Sequence, residues 1–171
     1  MTISVNRVPN AAVYIGGTSF LGRAEKVELP SIKQKMEAHT GLGLVGAADL
    51  PVGLDKLEGS IAWNSFYTDA LLAVSNVTAI QQIQVRASVD IFTSAGRTEQ
   101  QPLLCTLSVL FHELPMGSFE HQKPSAIQSK FAAYAAKTEI GGVVIMDYDF
   151  FANRYFAAGA DILARYREIV G

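Results

Sequence analysis

The sequence predicts a mainly β protein (α+β) with one or two helices, an antiparallel sandwich or barrel, and three observations carry that prediction. Long segments alternate apolar and polar residues with the period of two that a half-buried strand requires. Turn signals recur fairly evenly, at Gly16-Gly17, Leu29-Pro30, Ser94-Ala95-Gly96, Pro115-Met116-Gly117, Lys123-Pro124 and Gly141-Gly142. Helical spacing is confined to two short stretches, so the β-α-β-α order of a doubly wound sheet is absent.

In chain order, shorter strands are expected at Ala11–Ile15, Ala24–Leu29 and Ile32–Glu37. Leu57, Ile61 and Trp63 then alternate with Glu58, Ser60 and Asn64. A helix follows, with Thr68 as its cap and Asp69 in a first turn that favours negative charge. Ala70, Ala73, Val74 and Val77 form its apolar stripe. The clearest strand is Gln84–Phe92: Val85, Ala87, Val89 and Ile91 fall on one face, Gln84, Arg86, Ser88 and Asp90 on the other. Leu103–Glu113 repeats the pattern, with Cys105, Leu107, Val109 and Phe111 opposite Thr106, Ser108 and His112. Ala126–Thr138 sets Ile127, Phe131, Ala133 and Ala135 against Gln128, Lys130, Tyr134 and Thr138. A strand at Val143–Tyr148 precedes a C-terminal helix over about 161–169, where Ile162, Arg165, Tyr166 and Ile169 share a face.

The chain has 171 residues, 49% hydrophobic and only 18% charged, against a usual charged share of about a quarter. One domain spanning residues 1–171 is expected, and its excess of apolar surface favours an oligomer. The formal net charge of −2 offers no basic excess for gripping phosphates. A lone cysteine, Cys105, excludes an internal disulfide framework. Met1–Arg7 holds no apolar segment of signal-peptide length, and no run approaches the ~20 apolar residues of a membrane helix. A soluble, cytoplasmically made protein without a membrane anchor is the expectation. Long amphipathic strands also leave edges that recruit another chain unless blocked, and no rows of proline or lysine block them here. Self-assembly rather than catalysis follows.

Each motif with chemical potential has a plainer reading. Gly41-Leu42-Gly43-Leu44-Val45-Gly46 matches the dinucleotide pattern G-x-G-x-x-G, which must follow a strand and open a helix. Pro51 and Gly53 would break that helix, so a dinucleotide-dependent oxidoreductase is the minor alternative. The stretch 38–55 reads instead as an extended, weakly charged loop or long hairpin tip that meets a partner surface. Cys105 and His112 fall on opposite strand faces, so no nucleophile–base pair forms, and Cys105 is a small buried hydrophobe. His39 and His121 lack ligand-spaced partners, and neither a metal nor a cofactor is expected. The aromatics Tyr148, Phe150, Phe151, Tyr155 and Phe156 could stack bases, but Asp147 and Asp149 bracket them, so core or subunit packing fits better. Trp63 is read as a core anchor.

The order of short segments resembles a known family. Asn10-Ala11-Ala12-Val13-Tyr14-Ile15-Gly16-Gly17-Thr18-Ser19-Phe20-Leu21-Gly22 is similar to an opening strand and turn. Val27-Glu28-Leu29-Pro30-Ser31-Ile32, Lys35–Leu44 and Val52-Gly53-Leu54-Asp55 follow in the same order, and Asp161–Gly171 resembles a closing helix. Together they resemble the major tail tube proteins of contractile-tailed bacteriophages, a family shared with phage-tail-like bacteriocins. Thr40 and Leu44 depart from the usual arginine and methionine, and Ile80–Ile140 agrees by strand pattern alone.

The resemblance implies hexameric rings whose sheets join edge to edge into one shared β-barrel, stacked as a hollow tube inside a contractile sheath. It implies passage through the host envelope, conduction of DNA, and neither catalysis nor a cofactor. The implied partners are the chain itself, the sheath protein, baseplate or tail-tip and terminator proteins, and the tape measure protein and DNA in the bore. The implied location is the virion, assembled in the bacterial cytoplasm. On that reading Gln84, Arg86, Ser88, Asp90, Gln128 and Lys130 are expected to line the bore. Gly41, Leu42, Gly43, Leu44, Val45, Gly46, Leu50 and Pro51 are expected at the ring-to-ring contact, and Met1–Pro9 at a subunit or ring contact. The alternatives are a DNA-free bacteriocin or injection device and a β-sandwich ligand-binding module.

Overall fold

Strict alternation produces the longest strands of the fold. The computed structural model describes residues 3–114, 116–122, 125 and 127–171. The expected turn residues Pro115, Lys123 and Pro124, Ala126, and Met1 and Thr2 of the N-terminal arm lie outside the described residues. In chain order the elements are β1 (Val5–Arg7), β2 (Ala11–Ile15), β3 (Thr18–Ser19), β4 (Ala24–Glu28), β5 (Gln34–His39), β6 (Ala48–Leu54), β7 (Leu57–Trp63) and α1 (Thr68–Ser75). They continue with β8 (Gln81–Thr93), β9 (Gly96–Glu113), β10 (Ile127–Ile140), β11 (Val143–Asp149), β12 (Arg154–Ala157), β13 (Ala160–Asp161) and α2 (Ala164–Val170).

The main sheet is antiparallel and runs β13-β12-β11-β10-β9-β8-β2-β3, with β1 also on β8. Strand β10 forks it. Its residues Ile127–Ala133 pair with β7, which carries β4, while Ala135–Ile140 pair with β11. The register slips between Ala133 and Ala135 at this fork. A slip of one residue reverses which side chains face the core. Ile127, Phe131 and Ala133 are therefore buried as the alternation predicts, but beyond the slip Ala136 is buried in place of Ala135. Thr138 likewise shares the face of Cys105, to whose sulfur its hydroxyl donates.

The core lies between the β8–β9–β10 face and the β4–β7 branch. Trp63, Phe20, Phe111 and Phe131 are its largest buried side chains. Phe20 meets Trp63 edge-on with ring centroids 5.6 Å apart, and Phe111 meets Phe131 in the same manner at 5.7 Å. Burying an indole leaves its N–H in need of a partner. Trp63 Nε1 donates to Ser129 Oγ at 3.2 Å, and both residues are buried. Ser129→Ala is expected to orphan that donor and cost about 1–3 kcal/mol of unfolding free energy. Urea melts of wild type and variant would measure it.

Both helices depart from their expected starts. Tyr67 precedes α1 with no side-chain cap, and Thr68 is already helical. Asp69 instead pairs with Arg23, tying the helix to the segment before β4. Val77 lies beyond the helix and is exposed, leaving Ala70 and Val74 as the buried stripe. α2 begins at Ala164 because Asp161 belongs to β13. The Asp161 carboxylate accepts Arg167 Nη2 at 2.5 Å and the Leu163 N–H at 3.1 Å, acting on the helix from outside it. The Arg167 guanidinium holds the Asp161 carboxyl below its ordinary range. No residue of α2 is buried, and Ile162, Tyr166 and Ile169 are all exposed.

Candidate assembly surface

The segment expected as an extended loop or long hairpin tip is part of a hairpin. β5 and β6 pair only with each other, as a separate two-stranded sheet. Every residue of β5 is exposed, and in β6 only Leu54 is even partly covered. Gly41–Gly46 form the hairpin tip, with Gly43 at φ 87°, a conformation that glycine adopts without a Cβ penalty. The next element is the strand β6 and not a helix, so these glycines have no helix N-terminus to offer a pyrophosphate. Leu42 and Val45 are fully exposed, and Met36, Leu44, Leu50 and Val52 about half so. Leu50 and Pro51 face Glu37 and Met36 across the arm. An apolar arm that the rest of the chain leaves uncovered is the kind of exposed patch that marks an interaction surface.

The sheet's outer face is built by the complementary residues of the same strands. Cross-strand register places Gln84, Thr106 and Lys137 in one row and Arg86, Leu104 and Glu139 in the next. Gln128 and Lys130 share this face further along β10, beside Ala62 and Ser60 of β7. Gln128 Nε2 donates to Ser60 Oγ at 2.9 Å. Arg86 lies over the Tyr14 ring, 4.4 Å from its centroid, and donates to Gln84 Oε1 at 2.6 Å. Lys130 pairs with Glu113 at 2.9 Å, Lys137 with Glu139 at 2.7 Å, and Arg154 with Asp147 at 2.9 Å. The sequence reading missed these pairs, although Lys137 and Glu139, two apart on one strand, were a legible signal for one of them.

Asp90 requires a correction. Alternation places it on the outer face with Gln84 and Arg86, yet it is buried, at 7% exposure. Gln100 donates to it at 2.8 Å and Ser88 at 3.2 Å, and Arg97 lies 3.6 Å away. Those hydrogen bonds, Gln100 first, hold its carboxyl below the ordinary range despite the opposing effect of burial. A depressed folded value means that the stabilisation is present above the ordinary aspartate pKa of about 3.9 and fades as the pH falls through the folded value. Wild type is therefore expected to lose stability on acidification more steeply than Asp90→Asn, in urea melts run from pH 6 down to pH 3. Parallel pH profiles would contradict this role.

Among the described residues, β4 and the start of β9 are two of the strand segments left with an open edge. β4 pairs with β7 alone, and Gly96–Gln101 of β9 pair with β8 but not with β10. The free edge of β4 borders a cleft of about 580 Å³ lined by Val8, Ala12, Leu21, Val27 and Leu103. No His/Cys/Asp/Glu cluster fit for a metal occurs among the described residues. Cys105 is buried, and His112 directly follows Phe111, the last buried position of β9, and is exposed. The aromatic group divides: Tyr148 and Tyr155 pack edge-on at 6.1 Å, whereas Phe150 and Phe151 are exposed beside Tyr134.

Known proteins with matching sequence or shape share this architecture. Residues 5–171 match the family model described as phage tail tube protein FII. The tail tube protein of Escherichia phage P2 is 29% identical over 76 residues, which cover 43% of this chain and 44% of that relative. The match thus spans under half of the relative's length. A sheath/tube terminator from an extracellular contractile injection system superposes with a TM-score of 0.58 at 13% identity, over 78% of this chain and 95% of the other. A chain of that system's sheath-tube complex gives a TM-score of 0.55 at 14% identity, over 76% and 88%. The tube-terminating cap of the anti-feeding prophage gives 0.53 at 14% identity, over 75% and 87%.

Proposed function

The chain belongs to the phage tail tube protein FII family, a structural family and not an enzymatic one, and from that premise we propose that it is the ring-forming subunit of a contractile-tail tube. Six copies close into a ring whose sheets join edge to edge as one β-barrel, and rings stack into a hollow tube inside the sheath. The tube belongs to the virion, is driven through the host envelope, and conducts DNA. Residues 1–171 act as one tail-tube unit, with the arm at 38–55 reaching the next ring and α2 displayed on its surface. Sheath, terminator, baseplate and tape measure proteins are the partners that this role requires.

The open strand edges on one continuous sheet carry the proposal. An unpaired edge is a template for another chain's strand, and closing a ring of such sheets removes the edges. Exposed helix α2 and the uncovered arm add surfaces that a lone subunit leaves wet. The family match and the P2 relative favour a phage tail over a DNA-free injection device, the second reading, which would use the same barrel.

The proposed inward face is testable by labelling. Arg86→Cys and Lys130→Cys should react with small and bulky maleimides in dispersed subunits. In assembled tubes the small reagent should still react, entering through the open ends, and a reagent wider than the bore should not. Equal bulky labelling in both states would place these residues outside the bore.

A further inference from the structure

On the face that the proposed function turns inward, every cation of β10 and β12 sits against a carboxylate. Lys130, Lys137 and Arg154 have Glu113, Glu139 and Asp147 at 2.7–2.9 Å. None of the three cations is buried: their side chains are 48%, 39% and 47% exposed. Arg86 has no carboxylate but lies against Tyr14 and Gln84. Exposed ion pairs contribute little to folding, so stability does not account for the pairing of these three. Its chemical consequence is larger. A free ammonium or guanidinium neutralises a phosphate and releases its counterions, and such contacts sum along a duplex. The three cations, unmasked in every subunit in addition to Arg86 and repeated around each ring and along a stack, would turn the wall into a polyphosphate trap.

We propose that Glu113, Glu139 and Asp147 mask a latent nucleic-acid-binding wall, each keeping one cation from a passing duplex. The proposal rests on the inward placement of this face. The carboxylates matter here through the cation each one occupies rather than through a negative bore, since each pair is locally neutral. Removing the carboxylates without shortening the side chains should expose the cations and leave the sheet intact.

The test uses assembled tubes of wild type and of the triple variant Glu113→Gln, Glu139→Gln, Asp147→Asn, incubated with linear or covalently closed circular duplex and pelleted. Wild-type tubes should retain neither form. Variant tubes should retain linear duplex at 50 mM salt, with affinity falling by roughly 10³-fold or more at 200 mM, the dependence expected when six or more phosphates are contacted. Closed circles have no end to thread and should stay in solution. Linear retention no greater than that of wild type overturns the masking proposal. Equal retention of circles and linear duplex puts the wall outside and overturns the inward placement instead. If the triple variant assembles poorly, Glu139→Gln alone should give weaker, equally salt-sensitive linear retention, and its absence is likewise contrary.

Discussion

Replacing Phe131 with alanine is expected to lower the unfolding free energy by about 3–5 kcal/mol, the usual cost of deleting a buried aromatic side chain. Against a typical total of about 5–15 kcal/mol, that is enough to leave a marginal domain largely unfolded. The site permits little collapse. Phe131 has no exposed surface, meets Phe111 edge-on at 5.7 Å, and sits on β10 opposite Gly59 of β7. Gly59 is itself fitted to the ring. A Cβ there would come within 2.5 Å of both the Phe131 ring and the Glu28 carbonyl oxygen. Gly59→Ala is therefore expected to destabilise through overpacking, by about 1–3 kcal/mol. In the Phe131→Ala background its cost should shrink, because the ring clash is gone while the backbone clash with Glu28 remains. Urea melts of the two single variants and the double variant measure the coupling. Strict additivity would show that the ring and Gly59 do not share this space.

Deleting Gly41–Gly46 is expected to have the opposite profile: little effect on the subunit and a severe one on the tube. β5 and β6 pair only with each other and cover almost nothing of their own subunit. Shortening their tip should leave the melting temperature within a few degrees of wild type. Long tubes should be lost, since the deletion removes Leu42, Leu44 and Val45, the exposed apolar residues of the tip. Calorimetry reads the first effect and electron microscopy the second. Normal long tubes from the deletion variant would show that the arm is not the stacking contact.

The strands were legible wherever one face is buried and the other wet. Val85, Cys105 and Leu107 are buried as period-two alternation predicts, and Val85 and Cys105 are partners across the sheet. Legibility failed at points where alternation carries no information. The strand expected at Ile32–Glu37 covers the first four residues of β5, but the arm has no buried face, so β6 lacks the contrast that marks a strand and was not expected as one. The register slip beside Tyr134 reverses the parity of β10, which no local pattern announces. Asp90 kept its place in the alternation but not its exposure, because Gln100, ten residues on, folds back over it. The carboxylate pairs depend on cross-strand neighbours too, with Glu113 and Lys130 seventeen residues apart in the chain. Open strand edges are a property of the whole sheet order, which sequence spacing alone does not supply.

The central claim is that this chain closes its open strand edges by joining copies of itself into stacked rings. Negative-stain electron microscopy of the purified chain, across a concentration series, tests it most directly. Hollow tubes or free rings with sixfold symmetry and a stain-filled centre are expected. Uniform particles of single-subunit size at every concentration would contradict it.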